Sequence, residues 1–185
     1  RMGWGGRVGI GHGAKYSCLP PAELESLGRR LAASGVAVTV LPATDLFNNG
    51  RHMEHSVMRG VADAHALVAQ GANCSIATNN VLNPFTPYGD CSLVRIANLY
   101  ANVVQRGTTE DLSECFALLT NRPARILRKD DYGIALGNPG DLVVWNAKSP
   151  ADAIATVAQP LMAFKRGQRL FAQGRTKACN RPSSH

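Results

Sequence analysis

Val36-Ala-Val-Thr-Val-Leu41 is the stretch that most constrains this fold. It is an unbroken apolar, β-branched run, and a strand of that kind belongs in a parallel sheet covered on both faces. Two further runs fit the same grammar. Arg7-Val-Gly-Ile-Gly-His-Gly13 reads as a strand that ends at His12, and Asn73 to Thr78 as a second short one. A helical pattern follows each of the three. Pro20-Pro21 opens one with Leu24, Leu27 and Leu31 on its apolar face, closed at Ser34-Gly35. Gly60 to Gln70 is expected to be the second, with Val61, Ala64 and Val68 on one side. The third begins after Asp90 and aligns Leu93, Ala97, Tyr100 and Val104. Successive β-then-α units imply right-handed crossovers and an α/β architecture. His12, Asp45 and Asn79 then fall just beyond strand ends, on one rim, where such folds present their chemistry.

The rim loops are polar. Asn79, Asn80 and Asn83, with Pro84, Pro87 and Gly89, form a stiff loop carrying three carboxamides. The plain alternative is a βα loop in which Asn only supplies turn conformations. Pro42 to Asp45 leads into what reads as a long polar loop up to Arg59. Within it, His52 and His55 flank Glu54, but the spacing is not that of a helical metalloprotease motif. His65 reads as a packed helix histidine. His12, flanked by glycines at a strand end, can approach a substrate or a metal-bound water; one histidine alone makes no site. Sequence signatures of a phosphate loop, a serine elbow and a dinucleotide fold are absent.

After Asp130 the pattern changes. A turn at Gly137-Asn-Pro-Gly140 precedes a strand from Asp141 to Trp145, and Ser149-Pro150 starts a short helix. Leu161–Lys165 and Arg169–Ala172 then read as a hairpin. Before these, Thr108-x-x-Asp111 resembles a capping box that opens another helix, with Leu112, Phe116 and Leu119 on its apolar face.

Composition sets the outer limits. With 45% hydrophobic and 18% charged residues in 185, the chain suits a globular fold with its own core. No apolar run approaches the length of a membrane span, and the N-terminal residues lack a leader-like apolar region. The expected compartment is therefore cytoplasmic, with no membrane partner. Five scattered cysteines with no C-x-x-C pair suit buried free thiols rather than a disulfide framework. The net charge of +7 arises from Arg122 onward, where eleven Lys and Arg face four Asp and Glu. That excess is dispersed and not interleaved with aromatic residues, so no nucleic-acid partner is expected.

Four stretches, in order along the chain, resemble one family. They are Val8-Gly-Ile-Gly-His-Gly13, Leu46-Phe-Asn-Asn-Gly-Arg51, Ala77-Thr-Asn-Asn-Val-Leu-Asn-Pro-Phe-Thr-Pro-Tyr-Gly89 and Asp131-Tyr-Gly-Ile-Ala-Leu-Gly-Asn-Pro-Gly-Asp-Leu-Val-Val144. Together they resemble cytosine deaminase and its relatives in the amidohydrolase superfamily. The resemblance implies the C-terminal part of a TIM (β/α)8 barrel, strands six to eight, over residues 1–127. Strands of a small β-sandwich would fill 128–175, and 176–185 would be a flexible tail. It implies a metal-dependent hydrolase acting on a C–N bond of a nitrogen heterocycle, with a divalent zinc or iron in the whole enzyme. Its partners would be the N-terminal half of the barrel or another chain, and a homo-oligomer is expected. His12 matches the strand-six histidine that contacts the metal-bound hydroxide in that family. Asn79 matches the strand-eight aspartate that binds metal and shuttles the proton, and Asn80 a neighbouring substrate contact. The departure lies at Asn79: an amide oxygen can face a metal, but it cannot take a proton near neutral pH. A binding or scaffold protein that has lost the strand-eight acid is the competing expectation.

Overall fold

The computed structural model describes residues 6–172. Strands β1 (Val8–Gly11), β2 (Val36–Val40) and β3 (Cys74–Ile76) pair in parallel in the order β1-β2-β3. The register sets Ile10 beside Val38 and Thr39 beside Ser75. Side chains alternate across the sheet, and the two faces differ in kind. Val38, Val40, Cys74 and Ile76 lie in the hydrophobic core beneath the helices. Gly9, Gly11, Ala37, Thr39 and Ser75 make the other face from small residues, and the Thr39 and Ser75 hydroxyls meet at 2.9 Å.

Helix α1 (Pro21–Ser34) starts with proline in its first turn and stops at Gly35, whose left-handed backbone (φ 65°) returns its N–H to the last turn. Gly28 allows α1 to lie close against α3 (Ala64–Ala69), since a Cβ there would sit 2.8 Å from the Gln70 Cβ. Helix α3 is shorter than its apolar pattern suggests. Asp63 caps it by accepting from the His65 and Ala66 amides, so Val61 is buried from the preceding loop rather than from the helix. A larger difference lies at Pro42–Asn48, expected as loop but folded as helix α2. Proline is pre-set for its first turn, and the Asn48 and Asn49 side chains bond back to the Thr44 and Asp45 carbonyls.

Helix α4 (Leu93–Val104) is capped by Ser92 and buries Val94, Ile96, Ala97, Tyr100, Ala101 and Val103. Its inner face is thus rotated from the expected stripe, and Leu93 is exposed. The Thr108 capping box opens α5 (Thr109–Ala117) as its spacing predicts. A short helix not evident from periodicity follows, α6 (Asn121–Ile126).

The second sheet is antiparallel, with β4 (Leu142–Trp145), β5 (Pro160–Lys165) and β6 (Gln168–Ala172) in that order. Arg166 and Gly167 both take positive φ, the conformation that a two-residue hairpin turn requires. Helix α7 (Pro150–Ala155), capped by Ser149, ties this part to the main core. Ile154 is fully buried there, its carbonyl accepts from Asn98, and Trp145 meets Phe116 edge to face. The tail read from 176 onward lies outside the described residues. Among those described, no helix is long and apolar enough to cross a membrane.

The four described thiols divide in two, where the sequence suggested a uniform buried set, and Cys179 lies outside the described residues. Cys74 and Cys115 are buried, and burial pushes each thiol up to about 12; Cys18 and Cys91 are exposed. Brief alkylation of the native chain, mapped by peptide mass, should therefore modify Cys18 and Cys91 and spare Cys74 and Cys115 until denaturant is added. Equal labelling of all four would contradict this packing.

Candidate active site

The rim is built by what happens just after each parallel strand. The His12 N–H extends the β1–β2 ladder by donating to the Thr39 carbonyl at 3.0 Å. His12 and Gly13 then both adopt left-handed backbone, φ 69° and 70°. For His12 this is an uncommon state costing on the order of 1 kcal/mol, of the kind that gathers at functional sites. At Gly13 a Cβ would lie 2.8 Å from the Tyr16 ring, so only glycine fits the bend that aims the imidazole.

Beyond β2, the first turn of α2 carries Asp45, which is 3% exposed. Its Oδ1 lies 2.7 Å from His12 Nδ1, and its Oδ2 is buried without a hydrogen-bond partner. Burial raises the Asp45 carboxyl above its ordinary value, while the hydrogen bond and charge of His12 oppose that rise. The pairing spans 33 residues of sequence.

After β3, Asn79 is also left-handed (φ 56°), a state that Asn and Asp tolerate. Its Nδ2 approaches His12 Nε2 at 3.4 Å. Asp45, His12 and Asn79 thus form a line from the buried first turn of α2 to the open surface. The side chain of His12 is 46% exposed, so Nε2 faces outward.

The loop that follows is fastened to α2. Asn83 Oδ1 accepts from the Phe85 and Thr86 amides, and its Nδ2 donates to Asn80 Oδ1 at 2.8 Å. Thr86, 2% exposed, meets the Thr44 hydroxyl at 2.7 Å, and Asn48 donates to the Phe85 carbonyl. Asn80 is therefore held by its own loop. It borders a mostly apolar cavity of about 140 Å³ with Tyr88, Ile96 and Leu99, apart from the His12–Asn79 contact. His52, Glu54 and His55 are exposed on the loop after α2. His65 is packed as expected, with Nδ1 facing the Tyr100 hydroxyl and Nε2 the Asp111 carbonyl.

These residues do not by themselves fit a metal centre. Among the described residues no group of three or more His, Cys, Asp or Glu is placed to hold an ion, and the rim offers one imidazole nitrogen and one amide. After dialysis without chelator, the purified chain should retain far less than one zinc or iron per molecule by elemental analysis. Tight one-to-one retention would contradict this donor set. The pairing of Asp45 with His12 is the feature that sequence reading did not find. Its only signal was that both residues sit one short step beyond neighbouring parallel strands.

A family model described as "Amidohydrolase family" matches residues 1–171. The chain is 26% identical over 170 residues to a pterin deaminase from Rhizobium rhizogenes (strain K84), covering 91% of this chain and 38% of that one. It is 32% identical over 103 residues to the N-isopropylammelide isopropyl amidohydrolase of Pseudomonas sp. (strain ADP), covering 55% and 26%. It also resembles a solved 5-methylcytosine deaminase from Klebsiella pneumoniae liganded with 5-fluorocytosine, with TM-score 0.89 and 25% identity over 98% of this chain and 44% of that one. The chain thus spans less than half the length of each of these proteins.

Proposed function

The chain belongs to the amidohydrolase family, and on that premise we propose that it is the C-terminal part of a hydrolase that cleaves a C–N bond of a nitrogen heterocycle. In this reading residues 1–127 supply strands six to eight of a (β/α)8 barrel, and 128–175 belong to its small β-sandwich. The small-residue face of the parallel sheet, with Gly9, Gly11, Ala37, Thr39 and Ser75, would line the barrel interior. Three parallel strands alone leave open edges, which a barrel removes. The remaining strands would come from the N-terminal half or from another chain, and with them the zinc- or iron-binding side chains that this rim lacks.

The observation that carries the proposal is the line Asp45–His12–Asn79 at the carboxyl ends of the strands. With its Nδ1 facing the carboxylate, His12 presents the Nε2 lone pair as a proton acceptor. A water that gives its proton to Nε2 can form the new C–O bond, and the imidazolium can return that proton to the leaving nitrogen as the C–N bond breaks. With an exocyclic amine as the leaving nitrogen, this step would release ammonia. Asn79, a carboxamide beside His12 Nε2, is suited to hydrogen-bond ring nitrogens and exocyclic groups of a heterocycle, whereas Asn80, whose Oδ1 is held by Asn83, would have to reach a substrate through its Nδ2.

Asn79 also favours a second reading, that of a binding relative which kept the rim and lost the acid. Two measurements separate the readings. An intact mass well above 19.7 kDa for the natural protein, with a His-x-His pair encoded upstream, supports the enzyme. A stable natural monomer of this chain's own mass would refute the partial-barrel reading. An upstream region without the histidine pair would favour the binding protein.

A further inference from the structure

We propose that Asp45 is a positioning residue whose task is to fix the tautomer and orientation of His12; its meaning for catalysis rests on the hydrolase reading above. An ionised carboxylate only accepts hydrogen bonds, so an imidazole nitrogen held against it must carry the hydrogen. Asp45 Oδ1 lies 2.7 Å from Nδ1, which places the proton on Nδ1 and leaves Nε2 as a bare acceptor toward Asn79. The carboxylate is itself held in place. The Asp45 N–H donates to the Leu41 carbonyl at 3.0 Å, and its own carbonyl accepts from the Asn49 side chain at 2.7 Å. Being 3% exposed and pointed at Nδ1, Asp45 does not contact a ligand at the Nε2 side of the ring. It acts through His12.

The unpartnered Oδ2 sets the direction of the test. Replacing Asp45 by Asn adds two N–H donors where the carboxylate has one oxygen facing His12 and one buried oxygen that makes no hydrogen bond. Burying the NH2 group at the partnerless position leaves donors unsatisfied, which costs about 1–3 kcal/mol. The amide therefore turns its N–H toward Nδ1, and the imidazole must move its own hydrogen to Nε2. The ring keeps its place, but the acceptor is lost. In serine hydrolases the same exchange beside a catalytic histidine lowers turnover roughly ten-thousandfold.

The decisive experiment is a nitrogen–proton correlation spectrum of the 15N-labelled chain, recorded where the imidazole is uncharged. The wild-type chain should show His12 with its proton on Nδ1. Asp45→Asn should show it on Nε2, with the rest of the spectrum preserved. A wild-type His12 protonated on Nε2 would overturn the proposal whether or not the variant folds, as would an Asp45→Asn variant that keeps the wild-type tautomer. In the full-length enzyme, Asp45→Asn should lower kcat by roughly ten-thousandfold with little change in KM. A predominant rise in KM would instead place Asp45 in substrate binding. A full-length enzyme inactive even as wild type would refute the hydrolase reading while leaving the tautomer result standing.

Discussion

In the hydrolase proposed above, Asn79→Asp should raise the turnover of the full-length protein by roughly a hundredfold to ten-thousandfold, or about 3 to 5 kcal/mol of barrier. The backbone imposes no obstacle, because Asp tolerates the left-handed conformation held at φ 56° about as well as Asn. Burial imposes none either, since Asn79 is exposed. What changes is chemistry. An amide whose Nδ2 approaches His12 Nε2 at 3.4 Å occupies the imidazole's acceptor site without being able to take a proton itself. A carboxylate there adds a second proton acceptor and a negative charge beside the reacting water. Steady-state ammonia release by the two forms measures the effect. A fall in rate would mean that the site is built around the amide as a reader of substrate, which contradicts the inherited mechanism. An unchanged rate would reduce Asn79 to a turn residue.

The second large effect concerns stability. Tyr100→Ala should cost about 3–5 kcal/mol, and Tyr100→Phe about 1–3 kcal/mol, in denaturant unfolding. Tyr100 is fully buried in α4, and its ring stacks on His65 with centroids 5.6 Å apart. Its hydroxyl lies 2.8 Å from His65 Nδ1, while His65 Nε2 donates to the Asp111 carbonyl at 3.0 Å. Removing the ring opens a cavity where α3, α4 and α5 meet. Removing only the oxygen strands His65 Nδ1 without its donor in a dry place. Burial also raises the phenol well above its ordinary value, so it remains a donor at any ordinary pH. A Tyr100→Phe variant as stable as wild type would show that the hydrogen bond carries nothing, and equal costs for the two variants that the ring packing carries nothing.

Much of the fold could be read from residues. The Val36–Leu41 run, the Gly35 stop, the Thr108 box and the Ser149-Pro150 start each impose a local conformation that the packing keeps. Helix α2 could not be read in that way. It has seven residues and no room for an apolar repeat, and Asn48 and Asn49, which look like loop residues, bond back onto its carbonyls. The length of α3 was overread because Val61 supports a helical stripe although Asp63 caps the helix only after it. His12 and Asn79 were legible as candidates because strand ends on one rim converge. Asp45 as the partner of His12 was not, since that contact depends on parallel register across 33 residues and on α2 turning its first turn inward. Asn80 shows a further limit: a neighbouring carboxamide, Asn83, claims its side chain, and no spacing rule reveals that.

In the proposed function this rim belongs to a hydrolase of heterocyclic C–N bonds, with His12 as its proton acceptor. The most direct measurement is amine release by the full-length protein, supplied with zinc or iron, from cytosines, pterins and N-alkylated triazines. Wild type and His12→Ala should be compared on the same panel. Release from at least one of these rings is expected, with a loss of roughly a hundredfold or more in His12→Ala. No release from any of them, or a His12→Ala variant as fast as wild type, would contradict it.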